Sequence, residues 1–209
     1  KDFQIPSLMP HGLIVARIPI RNIKALQKAI KIGFEMLCPM ADMELCLKDK
    51  FIQDDNDSIQ IAKHHDFKRI LDIAEQAFSF SRFHRELTMS ADANEYHKKW
   101  AQNCLNGSQA DVVLVWRTER SIDGFIAAAY NKNKKEAKIV LIGVLPKRQG
   151  MGVGKSLLNS VIGWAKDAGA AKLCVRTEAD NDAALAFYLK NGFRLKELSF
   201  YLRKDNTLK

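Results

Sequence analysis

The sequence predicts an α/β fold, a mixed and mostly antiparallel sheet flanked by helices. Three observations predict it. A hydrophobic run, Ile139–Val144, leads into the glycine-rich stretch Gln149-Gly-Met-Gly-Val-Gly-Lys155, and a helix-patterned run, Ser156–Ala168, leads out of it. A second unit of the same kind follows. The short apolar run Leu173–Thr177 precedes a helix that Asn181 opens as N-cap and Gly192 closes, and Phe193 starts the next strand. The third observation is an internal echo. Val15-Ala-Arg17, Asn22, Ala25-Leu26 and Lys31-Ile-Gly33-Phe34 line up in constant register with Cys174-Val-Arg176, Asn181, Ala184-Leu185 and Lys190-Asn-Gly192-Phe193.

The elements follow in order from these anchors. Residues 1–50 read as a small αβ unit, a degenerate half-copy of the C-terminal strand–helix–strand, with Ala29 standing where the later copy has Tyr188. It is expected to extend the sheet or to cover the acceptor site. Residues 51–57, polar and acidic, read as a linker. Residues 58–209 read as a complete domain: strand Ile59–Lys63, helix Phe67–Phe80, helix Ala93–Leu105 and strand Val112–Arg117. Ser121-Ile-Asp-Gly124 supplies turn chemistry. Strands Phe125–Tyr130 and Glu136–Val144 then form a hairpin around the basic turn Lys132–Lys135, and the last extended stretch is Arg194–Arg203.

Composition bounds the function. A chain of 209 residues with 47% hydrophobic and 27% charged content is ordinary for a globular protein with one sizeable core. No apolar run has membrane-spanning length, and no signal peptide is visible. The chain begins at Lys1, so a preceding N-terminal piece is expected. Cys38, Cys46, Cys104 and Cys174 are scattered without a CxxC pair, which predicts buried free thiols and a cytoplasmic setting. His64-His65 lacks partners at ligand spacing, so no metal is expected. The formal net charge of +9 favours an anionic ligand. Nucleic acid is not expected, because no basic stripe is interleaved with aromatic residues.

The glycine stretch is the chemical signal. Glycines between a strand and a helix N-terminus let backbone N–H groups approach phosphate, and the helix dipole adds positive potential. A nucleotide phosphate loop needs glycine where Gln149 stands, and a dinucleotide fingerprint needs glycine where Lys155 stands. The pattern that fits is Q/R-x-x-G-x-G/A, read as Gln149, Gly152 and Gly154. Downstream, Asn181, Ala184, Tyr188, Gly192 and Phe193 follow N-x-x-A-x-x-x-Y-x-x-x-G-F. Together these resemble the two signatures of the GNAT superfamily of acetyl-CoA-dependent N-acyltransferases, over Lys138–Arg203.

The resemblance implies the GNAT fold, with the sheet splayed between its fourth and fifth strands to admit the pantetheine arm of acetyl-CoA. It implies that backbone groups near Ile142 and Val144 bond that arm, with the Val144 N–H as oxyanion donor. Gln149, Gly150, Met151, Gly152, Val153, Gly154 and Lys155 form the pyrophosphate turn, and Lys147 or Arg148 meets the 3′-phosphate. Asn181 bonds the pantetheine, and Tyr188 protonates the leaving thiolate. The protonated state of a phenol at neutral pH suits that role.

For the acceptor, Ser81-Arg-Phe83 followed by Tyr96 and Trp100 resembles the TDP-fucosamine acetyltransferase group of GNATs. This implies a nucleotide-linked amino sugar as small-molecule substrate, with Arg82 on its diphosphate and Phe83 and Trp100 against its rings. Phe78, Phe80 and Phe83, at near-helical spacing, also read as core. Glu178 and His84 are both candidates for the base. Another amine (a protein N-terminus, a polyamine or an aminoglycoside) and a non-catalytic acyl-CoA sensor are the alternatives. An edge strand near Phe200 suggests a homodimer.

Overall fold

A computed structural model describes residues 13–48, 57–78, 93–119 and 121–205. The elements are β1 (Leu13–Pro19), α1 (Ile23–Lys31), β2 (Glu35–Cys46), β3 (Ile59–Ile61), α2 (Phe67–Ala77) and α3 (Ala93–Leu105). There follow β4 (Val112–Arg117), β5 (Ile122–Asn131), β6 (Glu136–Val144), α4 (Val153–Asp167), β7 (Lys172–Glu178), α5 (Asp182–Lys190) and β8 (Arg194–Asp205). One eight-stranded sheet runs in the order β1-β8-β2-β7-β6-β5-β4-β3. Every neighbouring pair is antiparallel except β6–β7.

Helices cover both faces because each carries an apolar stripe at helical spacing. Ile70, Ile73 and Ala74 of α2, with Ala101 and Cys104 of α3, bury against β4, β5 and β6. Leu157, Leu158, Val161, Ile162 and Ala165 of α4 bury on the other face, where α5 adds Tyr188. On that second face α1 sets Leu26 and Ala29 against Leu202. Cys104 sits in the first of these cores, and burial pushes its thiol up to about 12. Cys46, expected to be buried, is exposed instead, Cys174 is half-buried, and none of the four cysteines is in a disulfide.

Three local expectations shift. The reversal before β5 is not made by Ser121–Gly124. It is made at Thr118–Ser121, where the Ser121 N–H donates to Thr118 Oγ1 at 3.1 Å. Ile122 and Asp123 belong to β5, Ile122 buried under α2 and Asp123 held by Arg148 at 2.9 Å. Helix α4 begins at Val153 rather than Ser156, because Gly152 caps it at φ 86. The first strand of the larger domain stops at Ile61, and a short 3-10 turn, His64–Asp66, leads into α2.

The internal echo has a structural counterpart. Residues 13–46 and 172–205 form two strand–helix–strand copies that interleave about a local two-fold axis. Each copy's first strand pairs with the other copy's second strand: Arg17 faces Tyr201, and the equivalent Arg176 faces the equivalent Asp42. The two second strands pair with each other, with Met40 opposite its own equivalent, Ser199. Even the irregularities correspond, since Leu37 of β2 and Lys196 of β8 are each bulged out of register. The caps match as well. Asn22 accepts from the Ala25 N–H at 3.1 Å and Asn181 from the Ala184 N–H at 3.0 Å, while Gly33 (φ 90) and Gly192 (φ 89) end the two helices. The N-terminal strands therefore extend the sheet. Phe200 lies in β8, which is paired on both sides, so it offers no edge for a second subunit.

Pro39 sits within β2, a central strand, yet breaks no ladder bond there. The β7 ladder ends at Met40–Glu178, and Pro39 contributes only its carbonyl, to the Ala179 N–H at 2.9 Å. Gly143 of β6 is fixed by packing. A Cβ there would lie 2.9 Å from the Phe125 ring and 3.3 Å from the Ala77 methyl. Gly143→Ala is expected to destabilise by about 1–3 kcal/mol, read as a lowered Tm.

Candidate active site

Strands β6 and β7 begin side by side and then part. Their parallel ladder comprises Glu136–Lys172, Ala137–Leu173 and Lys138–Cys174, and no further rung joins them among the described residues. Beyond Lys138 the facing edges diverge into a cleft of about 240 Å³. The expected splay of the sheet is thus present, and it leaves backbone donors and acceptors of both strands available to an inserted ligand.

A bulge shapes the β6 side. Ala127 of β5 pairs with Leu141 but Ala128 pairs with Ile139, so Val140 has no partner opposite it. Val140, Leu141 and Ile142 all line the cleft, whereas its lining does not reach Val144. The Val144 carbonyl instead accepts a hydrogen bond from Gln149 Nε2 at 3.1 Å. Gln149 therefore ties the glycine turn to the end of β6.

In the turn itself Gly150 (φ 75) and Gly152 (φ 86) are left-handed, which favours glycine at both positions. Gly150, Met151, Gly152 and Lys155 are exposed, Gly154 is half-buried, and the Val153 side chain is in the core. The first-turn N–H groups of α4 lack intrahelical acceptors, so the head of this fifteen-residue helix offers open backbone donors. Of the two cations considered for the 3′-phosphate, Arg148 is tied to buried Asp123, and Lys147 is exposed.

On the far wall, Asn181 and Tyr188 of α5 both line the cleft. The Asn181 oxygen is used in the helix cap, which leaves its amide N–H groups for a ligand. The Tyr188 ring is 4% exposed, wedged between Phe187 and Phe193 at centroid distances of 5.3 and 5.2 Å. Burial raises its phenol well above the ordinary value, so the hydroxyl is protonated at physiological pH.

The opposite wall comes from α2 and α3. Phe78 stacks on His97 at 5.0 Å and 16°, and Trp100 stands beside them. Trp100 therefore reaches the cleft as its sequence reading expected, and so does Glu178, buried at the end of β7. Phe78 also lines the cleft rather than the core alone. Arg82, Phe83 and His84 lie outside the described residues. His97 was missed by the sequence reading, although its spacing of three from Trp100 puts both on one helix face. The titratable side chains lining the cleft, among the described residues, are His97, Arg176, Glu178 and Tyr188. No three His, Cys, Asp or Glu side chains come together to hold a metal among the described residues, and no described helix is long and apolar enough to cross a membrane.

A sheet forked between two parallel strands, a left-handed glycine turn at the start of α4 and a buried phenol in the cleft together have the layout of an acyltransferase. Residues 67–193 match the acetyltransferase (GNAT) family, and the chain belongs to that family. It is similar to a dTDP-fucosamine acetyltransferase from Escherichia coli, with 24% identity over 94% of this chain and 83% of that protein. Among solved structures it is similar to a GCN5-related N-acetyltransferase from Sphaerobacter thermophilus, with a TM-score of 0.63 and 17% identity. That match covers 92% of this chain but 59% of the solved one, under two thirds of its length. It is also similar to a PaiA N-acetyltransferase from Thermoplasma acidophilum in complex with coenzyme A, with a TM-score of 0.53 and 17% identity over 70% of this chain and 97% of that one.

Proposed function

We propose that this N-acetyltransferase moves the acetyl group of acetyl-CoA directly onto the 4-amino group of a dTDP-linked amino-dideoxy sugar. The observation that carries the reading is the cleft's two-sided build. One side offers the open strand edges, Asn181 and Tyr188 to a thioester, and the glycine turn is tied to the end of β6 through Gln149. The other offers the flat faces of Phe78 and Trp100 and the charge of Arg176 to a planar, anionic acceptor. The similarity to a dTDP-fucosamine acetyltransferase along nearly the whole chain supports the same acceptor class. Arg82 and Phe83 remain part of the proposal as acceptor contacts.

In this reading the neutral amine attacks the thioester carbonyl, and backbone groups of Val140 and Ile142, which line the cleft, meet the developing oxyanion. Tyr188 gives its proton to the departing thiolate, while Glu178 or His97 takes the proton from the amine. Lys147 meets the 3′-phosphate.

The test is thiol release from acetyl-CoA with a panel of amines: dTDP-4-amino-4,6-dideoxygalactose, its gluco epimer, a UDP-linked analogue, spermidine and a peptide N-terminus. Turnover confined to nucleotide-linked amines is the expected result. Turnover of spermidine or peptide in their place overturns the acceptor assignment and keeps the family.

A further inference from the structure

On the sheet face turned away from α5, three cations gather around one carboxylate. Asp42 of β2 accepts a hydrogen bond from Arg176 Nε of β7 at 2.6 Å and another from Arg17 Nη1 of β1. Lys138 stands on the last rung before β6 and β7 part, opposite Cys174. Strand alternation fixes the shared face. Ala41, Met43, Ala137, Ile139, Leu173 and Val175, which flank these positions, all belong to the core on the opposite face.

Asp42, Lys138 and Arg176 are half-buried and Arg17 is exposed, and the apolar cluster beneath α2 and α3 draws on β4, β5 and β6, not on β1, β2 or β8, among the described residues. Burial, then the charge of Arg176 and further that of Arg17, hold the Lys138 ammonium down to about 8, against the opposing pull of Asp42. Gathering like charges out of water is costly for a folded chain, and a multiply charged anion would relieve that cost. Arg176 also lines the cleft, so the cluster is continuous with the place where the thioester is expected. The two arginines are equivalent under the internal two-fold axis, and they approach Asp42 from opposite sides of β2.

We propose that Arg17, Arg176 and Lys138 form the seat for the diphosphate of the acceptor, across the sheet fork from the glycine turn. The proposal rests on the nucleotide-sugar reading and gives it an address within the described residues. Two guanidinium forks and one ammonium suit adjacent phosphoryl groups, and Asp42 orients the forks without neutralising the whole cluster.

The experiment measures deoxythymidine diphosphate binding by calorimetry with CoA present at saturation, so that the glycine turn is already filled. Wild type is compared with Lys138→Met and Arg17→Gln. Each substitution is expected to weaken binding of the diphosphate at least tenfold, to raise the acceptor KM and to leave the acetyl-CoA KM within twofold. Lys138→Met is also expected to raise Tm by about 3 °C or more, since it removes a crowded cation; a residue held only for packing would lower Tm when changed. Diphosphate affinity unchanged in both variants, no binding to wild type, or a parallel loss of both ligands with a lowered Tm would overturn the seat. If wild type acetylates the dTDP-linked amine while both variants keep its KM, the seat fails and the acceptor reading stands. If the diphosphate binds and the variants lose it, yet no nucleotide-linked amine turns over, the acceptor reading fails and the anion seat survives.

Discussion

Tyr188→Phe lowers acetyl transfer at least tenfold and leaves CoA affinity within twofold of wild type, the scale expected when a positioned acid is lost. The argument is one of isolation. The substitution removes a single oxygen from a ring whose packing against Phe187 and Phe193 stays in place. The helix end is also untouched, since it is the Tyr188 carbonyl that receives the Phe193 N–H, at 3.0 Å. Stability therefore moves little, and the loss falls on the chemical step. Single-turnover thiol release reads that step. A donor thioester with a more acidic thiol should recover much of the lost rate, because a better leaving group needs less help from an acid. An unchanged rate with acetyl-CoA would remove Tyr188 from the mechanism.

Gly152→Val abolishes CoA binding, with an expected loss of at least a hundredfold. Two effects add. Gly152 holds φ 86, where a β-branched side chain is strained by about 1–2 kcal/mol. A Cβ there meets no protein atom within 4 Å, so the new side chain projects into the space in front of the helix start that an anion is expected to occupy. Calorimetry with CoA measures the loss, and Tm measured alongside separates strain from blockade. Gly163, inside α4 and equally unencumbered, provides the control: Gly163→Ala should bind CoA normally and gain stability from helix propensity. Retained CoA binding in the valine variant would refute the turn assignment.

Much of this site is legible in the residues because its chemistry is local. A glycine that must be left-handed, a cap that must accept an N–H and a tyrosine two helical turns on are spaced by the geometry of one element, and the sequence displays them directly. Asn181, Tyr188, Ile142 and Glu178 accordingly all reach the cleft. What escapes is whatever depends on the partner strand. Val140 looks like any residue of an apolar run, and only its pairing with β5 shows the bulge. Ser121-Ile-Asp-Gly124 has turn composition, but Asp123 is claimed by Arg148 from a distant segment, and the strand runs through. Pro39 argues against a central strand until the end of β7 beside it is known. His97 is announced only by its spacing from Trp100, and its role depends on Phe78 across an interhelical contact.

The interleaving of the two copies also sets an order of events in the life of the chain. During synthesis β2 emerges long before both of its sheet neighbours, β7 and β8. Asp42 and Arg176, hydrogen-bonded in the finished sheet, are 134 residues apart. Neither edge of β2 can be closed until β7 and β8 have left the ribosome, so its apolar residues wait unpaired while everything between is made. Late closure by distant strands is slow, and it exposes sticky edges in the meantime. The same arrangement means that late strands lock early ones. A nascent chain stopped before Arg194 would keep both signature motifs of its chemistry and still leave β1 without a partner and β2 closed on its β7 side alone.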